Sequence, residues 1–376
     1  MIYLDNAATT QVYDKAIEEI VKVLSDEYFN PSATYSLGLK SKNKITQAKQ
    51  TISNRLNCQP KEIIFTSCAT ESNNWVISHA LRNKKFNIVI SAGEHASVYE
   101  CAKAYKSKGF DVRIAPLQAN GTVDVEKLIS LIDENTSLVS IIHASNETGV
   151  INNLSTISKT IKSKYPKILL HSDGVQAFGK IDNNVKNLGV DFYSISGHKI
   201  GAPKGIGALY VSSKITIQPF IYGGGQENGM RSGTENTSGI SALATALDEF
   251  VHLTKKNNPI AVFNCLESQL AEIEGVKIVS QDAPRTNFIC CFTVTGIKAE
   301  IIQTMCADSG VIIGRGSACS SKHSGNRVLS EMGIPQKEID GALRLSINPS
   351  TTIDEITSAV SVLKESITKL RGHKIG

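Results

Sequence analysis

The stretch Phe192-Tyr-Ser-Ile-Ser-Gly-His-Lys199-Ile-Gly-Ala-Pro-Lys-Gly-Ile-Gly207 carries an apolar strand straight into a lysine and then into a glycine- and proline-rich tail. A lysine at a strand end, flanked by His198 and backed by Ser196, can be desolvated enough to lose its proton and attack a carbonyl, as Schiff-base chemistry requires. A solvated lysine closing a strand is the competing reading of these residues alone. The fold turns on whether neighbouring segments repeat the same pattern of a strand followed by polar residues.

Strand signals at 87–91, 111–116, 138–143, 168–171 and 192–195 alternate with helical signals at 97–109, 123–132 and 156–165. Short strands rich in β-branched residues, separated by helices, predict an α/β fold with helices on both faces of a parallel sheet. Polar residues cluster just after the strands: Glu94-His95, Asn146-Glu147, Asp173 with Gln176, and His198-Lys199. Open α/β sheets bind ligands at the carboxyl ends of their strands, so the clusters point together at one site. Taken singly, His95 or Asn146 reads more readily as a hydrogen-bonded loop residue, whereas Asp173 needs a partner if it is buried.

Upstream, Glu62-Ile-Ile-Phe-Thr-Ser-Cys-Ala-Thr70-Glu-Ser-Asn-Asn74 turns a short apolar strand through small hydroxylated residues into a helix. Its N-terminus offers backbone N–H groups and a partial positive charge to an anion, with the Thr70 hydroxyl beside them. A plain N-cap is the alternative. Asp5-Asn-Ala-Ala-Thr-Thr10, ahead of a helical pattern that begins at Tyr13, is expected to line a cleft.

Downstream, Tyr222-Gly-Gly-Gly-Gln-Glu227 and Arg231-Ser-Gly-Thr-Glu-Asn236 read as a mobile or tightly turned loop, with Arg231 and Thr234 available to an anion or a second subunit. After a helix at 238–255, Lys255-Lys-Asn-Asn-Pro259 combines polarity, asparagine and proline and marks a domain boundary. Strands at 276–280, 287–293 and 311–313 and a helix at 298–309 then predict a smaller α+β domain. It holds Gly314-Arg-Gly-Ser-Ala-Cys319-Ser-Ser-Lys-His-Ser-Gly325, where Arg315, Lys322, His323 and Arg327 favour a thiolate at Cys319. Arg344, inside the apolar run Gly341-Ala-Leu-Arg-Leu-Ser-Ile-Asn348, suits either bidentate capture of a carboxylate or a structural ion pair.

Composition narrows the class. A chain of 376 residues, 41% hydrophobic, has enough apolar content for a sizeable core. The net charge of +5 is spread along the sequence without a basic run interleaved with aromatics, which argues against stable nucleic-acid binding. The N-terminus reaches acidic and polar residues too soon for a signal peptide, and no apolar run approaches the roughly 20 residues needed to cross a bilayer, so a cytoplasmic protein is expected. Eight cysteines without a CxxC pair read as reduced thiols.

Taken together, the segments resemble the cysteine desulfurases, in the class V aminotransferase group of fold type I pyridoxal phosphate enzymes. The resemblance runs from Tyr3-Leu-Asp-Asn-Ala-Ala-Thr-Thr10 through Phe65-Thr-Ser-Cys-Ala-Thr-Glu-Ser-Asn-Asn74, Asn146-Glu-Thr-Gly149, Asp173-Gly-Val-Gln176, Ser196-Gly-His-Lys199 and Arg231-Ser-Gly-Thr-Glu-Asn236 to Gly316-Ser-Ala-Cys319 and Arg344-Leu-Ser346. It spans nearly the whole chain in order. It implies a large domain at 14–256 on a mainly parallel seven-stranded sheet, and a smaller α+β domain from 1–13 and 257–376 carrying the cysteine loop.

By that resemblance Lys199 is the Schiff-base lysine, Asp173 keeps the pyridine nitrogen protonated and His95 stacks on the ring. Gln176 and Asn146 address the phenolic oxygen and the substrate. Ala69, Thr70, Ser196 and His198 bind the phosphate, joined by Thr234 from the second subunit of a homodimer. Arg344 with Asn146 binds the carboxylate of L-cysteine, and Cys319 takes the sulfur as a persulfide, leaving L-alanine. The persulfide then serves an acceptor protein of iron-sulfur assembly or tRNA thiolation. Three departures stand out: Cys68 where glycine is usual, Gly174 where alanine is usual, and Tyr35 where a histidine is common. A selenocysteine lyase or another class V aminotransferase is the alternative with the same cofactor. A metal hydrolase built on His95, His171, Asp173 and His198 lacks a recognised ligand spacing.

Overall fold

The computed structural model describes residues 1–316 and 326–372. Its strands, in chain order, are β1 (Ile2–Leu4), β2 (Ile63–Thr66), β3 (Asn87–Ser91), β4 (Asp111–Ala115), β5 (Thr136–Ser140) and β6 (Leu169–Asp173). They continue with β7 (Phe192–Ser196), β8 (Gly207–Val211), β9 (Val276–Ile278), β10 (Ile289–Val294), β11 (Val311–Ile313) and β12 (Ala342–Ser346). Three sheets result: seven strands in the order β2-β8-β7-β6-β5-β3-β4, three in the order β12-β10-β9, and the pair β1-β11.

The large sheet is mainly parallel, as expected: β4, β3, β5, β6 and β7 run together. Only β8 opposes its neighbours β7 and β2. The strand reading above omits β8, because the glycines and proline ahead of it read as a tail. The connection from Gly197 to Ile206 is shorter than the dozen or so residues a parallel crossover needs, so the chain can only return antiparallel. Every residue of β3, β7 and β8 is buried, which is why these strands read as unbroken runs instead of alternating ones. Successive side chains still part to opposite faces. Phe192, Ile88, Ile90 and Leu209 pack with Trp75 on one face, while Tyr193, Ile195, Val89 and Phe65 join the larger core on the other.

The segment expected to be a boundary is a sharp turn between two helices. Asn258, with φ of 46°, separates the helix Thr237–Asn257 from a second helix, Pro259–Ala271, that sequence periodicity did not reveal. Its proline occupies the first turn, where a missing N–H costs nothing. Cys290, Cys291 and Cys306 are core residues, and the cysteines among the described residues are free thiols. Among the described residues no helix is long and apolar enough to cross a membrane.

Gly174 has a local explanation. A Cβ at this position would lie 2.0 Å from the Tyr193 ring and 2.5 Å from its hydroxyl. That ring cannot easily yield, because its hydroxyl is bonded to His143 Nδ1 at 2.8 Å and accepts from Asn183 Nδ2 at 3.0 Å. Gly174→Ala is therefore expected to lower stability by about 2 kcal/mol in urea unfolding, the scale of an overpacked core site. Adding Tyr193→Leu should recover part of the Gly174→Ala loss, so that the pair costs less than the sum of the single changes. Simple additivity would show that the ring is not the obstacle.

Candidate functional site

A cavity of about 240 Å³ lies where the polar clusters after β5, β6 and β7 meet the N-terminus of the helix Ala69–Ala80. Five of the residues expected from sequence line it from the early part of the chain: Ala69, Thr70, His95, Asn146 and Asp173. Gln176, Ser196, His198, Lys199 and Arg344 complete the set, with Ala7 and Ala8 of the expected cleft-lining segment. Thr234 is exposed on the loop before the helix Thr237–Asn257 and does not line this chain's cavity. Cys319 lies outside the described residues. Of the departures noted above, Cys68 lines the cavity, while Tyr35 is exposed with its ring edge-on to Phe29.

One end of the cavity is built for an anion. The helix Ala69–Ala80 begins after Cys68 with no side-chain cap, so its first-turn N–H groups are not consumed by a plain N-cap. His198 is beside them, its Nδ1 3.1 Å from Thr9 Oγ1. Burial, followed by the ammonium groups of Lys199, Lys204 and Lys180, pushes the His198 imidazole down to about 3. It is neutral at pH 7 and offers a hydrogen bond instead of a charge. Arg231 turns out to be a structural ion pair: Nε and Nη2 engage Glu71 at 2.8 and 3.2 Å, in the first turn of the same helix.

The lysine is held by the chain's first residues. Lys199 Nζ donates to the carbonyls of Ala7 at 2.6 Å and Ala8 at 2.5 Å. Gln176 Nε2 donates to the same Ala7 oxygen at 2.9 Å, while its Oε1 accepts from Lys180 Nζ at 2.9 Å. A backbone carbonyl can only accept, so Ala7 decides which end of the Gln176 amide faces it and leaves Oε1 for Lys180. Burial, then Lys199 and Arg344, push Lys180 down to about 7. Sequence reasoning missed Lys180; its spacing of four residues from Gln176 was the only hint.

Asp173 is 3% exposed, and its oxygens are taken up by Val175 N at 3.0 Å and Asn73 Nδ2 at 2.8 Å. His95 Nδ1 is 2.8 Å from Ser97 Oγ and accepts from Ser97 N at 3.2 Å. Burial lowers the His95 pKa, against the opposing pull of the Asp173 charge. His171 belongs to the core: its two ring nitrogens bond Ser140 and Ser194 inside the sheet. That removes it from any ligand set.

Of its two sequence readings, Arg344 shows the structural ion pair. It is 2% exposed, its Nη2 pairs with Asp5 Oδ1 at 2.7 Å and its Nη1 donates to the Asn146 carbonyl at 2.6 Å. Its Nε is buried without a hydrogen-bond partner among the described residues, an orphan donor that a ligand carboxylate would satisfy. Asn146 Nδ2 donates to Glu147 Oε1 at 3.1 Å, and Glu147 Oε2 accepts from Asn326 Nδ2 at 2.9 Å. Arg327 donates to the carbonyls of Ala92 and Glu94 and stacks 3.9 Å from the Tyr99 ring centroid. Arg315 pairs with Glu300 at 3.2 Å. The donor set therefore fits a ligand with an anionic group at the uncapped helix end and a carboxylate at Arg344, with an amine from Lys199 and a buried carboxylate from Asp173.

The family described as Aminotransferase class-V matches residues 2–358. Among similar curated proteins, cysteine desulfurase IscS of Clostridium botulinum (strain Hall) is 33% identical over 382 residues, covering 98% of this chain and 95% of that protein. The cysteine desulfurase of Trichormus azollae is 36% identical over 380 residues, covering 99% and 94%. Among solved structures, a NifS-like protein superposes with a TM-score of 0.91 at 31% identity, covering 98% of this chain and 99% of that one. SspA in complex with cysteine gives a TM-score of 0.82 at 30% identity, covering 94% and 100%.

Proposed function

We take the class V aminotransferase family, to which this chain belongs, as the premise and propose that the protein is a pyridoxal phosphate-dependent cysteine desulfurase. It converts L-cysteine to L-alanine and receives the sulfur on Cys319 as a persulfide. The observation that carries this reading is the cavity itself. Lys199, Asp173 and Arg344 line one space, in a chain similar to cysteine desulfurases over almost its full length.

When bound, pyridoxal phosphate supplies an electron sink that stabilises negative charge on the substrate α-carbon. The first-turn N–H groups at Ala69 and Thr70, with Ser196 and His198, hold its phosphate. Asp173 would hold the proton of the ring nitrogen, Gln176 would face the ring oxygen and His95 would lie against the ring. The Lys199 amine, which lines the cavity, would carry the substrate α-proton. Arg344 Nε and Asn146 orient the substrate carboxylate. We further propose a cytoplasmic homodimer in which Thr234 completes the partner's phosphate site, and a protein acceptor for the persulfide. The division into 14–256 and 1–13 with 257–376 is part of the same reading, supported by the pairing of β1 with β11 in a sheet of their own.

The test is Cys319→Ala. The variant should bind cofactor with the wild-type visible spectrum yet form alanine from cysteine at least ~100-fold more slowly, since the sulfur has lost its covalent acceptor. Wild-type turnover in that variant would instead favour a selenocysteine lyase or an aminotransferase.

A further inference from the structure

Asn73 is not a cavity residue, yet it joins two side chains that are. The residue is fully buried in the helix Ala69–Ala80, and its Nδ2 donates to Asp173 Oδ2 and to Ser97 Oγ, each at 2.8 Å. The amide orientation is dictated by chemistry. A carboxylate only accepts, so the atom facing Asp173 must be the NH2 group. Turning the amide over would set Oδ1 against the Asp173 oxygen. The observed orientation stands even though it leaves Asn73 Oδ1 buried without a hydrogen-bond partner among the described residues.

The backbone N–H of Ser97 fixes the direction of the bonds at His95. Ser97 Oγ uses a lone pair to accept from Asn73, which leaves its own proton for His95 Nδ1 at 2.8 Å. The same nitrogen caps the helix Ala96–Ser107 by accepting from Ser97 N at 3.2 Å, a bond whose donor is fixed in the backbone. Two donors thus converge on Nδ1, which cannot then carry a proton of its own, and the proton of the neutral ring must sit on Nε2.

We infer that Asn73 is a positioning residue that, acting through Ser97, locks His95 in the Nε2–H tautomer and ties that choice to the carboxylate of Asp173. His95 then presents an N–H donor to whatever occupies the cavity, and it takes up a second proton only if Ser97 turns away. In the proposed desulfurase reaction the ring therefore acts through Nε2 as a hydrogen-bond donor and not as a base. That consequence rests on the proposed function; the tautomer does not.

Nitrogen-15 NMR of the cofactor-loaded protein labelled at histidine reads the tautomer directly at pH 8, with the His95 signals assigned by their loss in His95→Gln. The wild type should show an unprotonated Nδ1 and a protonated Nε2. Asn73→Ala and Ser97→Ala should each move the tautomer ratio toward Nδ1–H by roughly three- to tenfold, the worth of one neutral hydrogen bond. Ser97→Ala removes a half-buried hydroxyl and keeps the test alive if Asn73→Ala fails to fold. A wild-type proton on Nδ1, or a wild-type ratio in the folded variants, would overturn the inference while leaving the desulfurase reading untouched.

Discussion

Lys199→Ala protein is expected to fold normally and to form alanine from cysteine at least ~1,000-fold more slowly than the wild type, because the change removes a covalent nucleophile and a proton carrier together. The structural cost is small by comparison. Nζ donates to the Ala7 and Ala8 carbonyls, and losing such bonds at a half-buried position costs about 1–2 kcal/mol, well within the stability of a domain this size. Alanine release and the visible spectrum should be measured on the same preparation. The variant should take up cofactor at the anion end while lacking the pH-dependent visible band that depends on the lysine. Turnover within tenfold of wild type would remove Lys199 from the chemistry.

Asp173→Ala is expected to lower turnover by roughly 100- to 1,000-fold, the range measured when a preorganised electrostatic group is removed from a dry site. The carboxylate ends β6 at 3% exposure, where its charge is screened little by water. Asp173→Asn separates charge from shape. If holding a ring proton is the function, the isosteric amide should be nearly as slow as alanine despite retaining cofactor. An Asp173→Asn enzyme with wild-type turnover would show that the negative charge is dispensable. Asn73 complicates the comparison usefully: its NH2 would then face an amide, so the NMR signature of His95 should also change in Asp173→Asn if the hydrogen-bonded path from carboxylate to imidazole is real.

Residues whose role depends on position along a strand were legible from the chain. His95, Asn146, Asp173 and Lys199 announce themselves because a polar residue directly after an apolar run must lie at a strand's carboxyl end, and parallel strands bring those ends together. The start of the helix at Ala69 was legible for the same local reason, while its lack of a side-chain cap was not. Asn73, Ser97 and Lys180 were not, because nothing about a helical asparagine or a lysine after a turn names its partner; Asn73 and Asp173 are a hundred residues apart and meet only when the helix packs on the sheet. Arg231 shows the converse failure. It looks available for an anion in sequence, and it is already spent on Glu71.

By itself the sequence determined the α/β class, the parallel core of the sheet and the strand ends that supply the chemistry, since these follow from periodicity and from the two backbone geometries that satisfy buried peptide groups. Tertiary structure alone decided the antiparallel return of β8, the coexistence of Gly174 with the Tyr193 ring, the two backbone carbonyls that hold Lys199 and the tautomer of His95. The physical reason is range. Secondary structure is selected by neighbours a few residues away, whereas the state of a buried polar group is set by which donor or acceptor packing brings within about 3 Å of it, and that partner can lie anywhere in the chain.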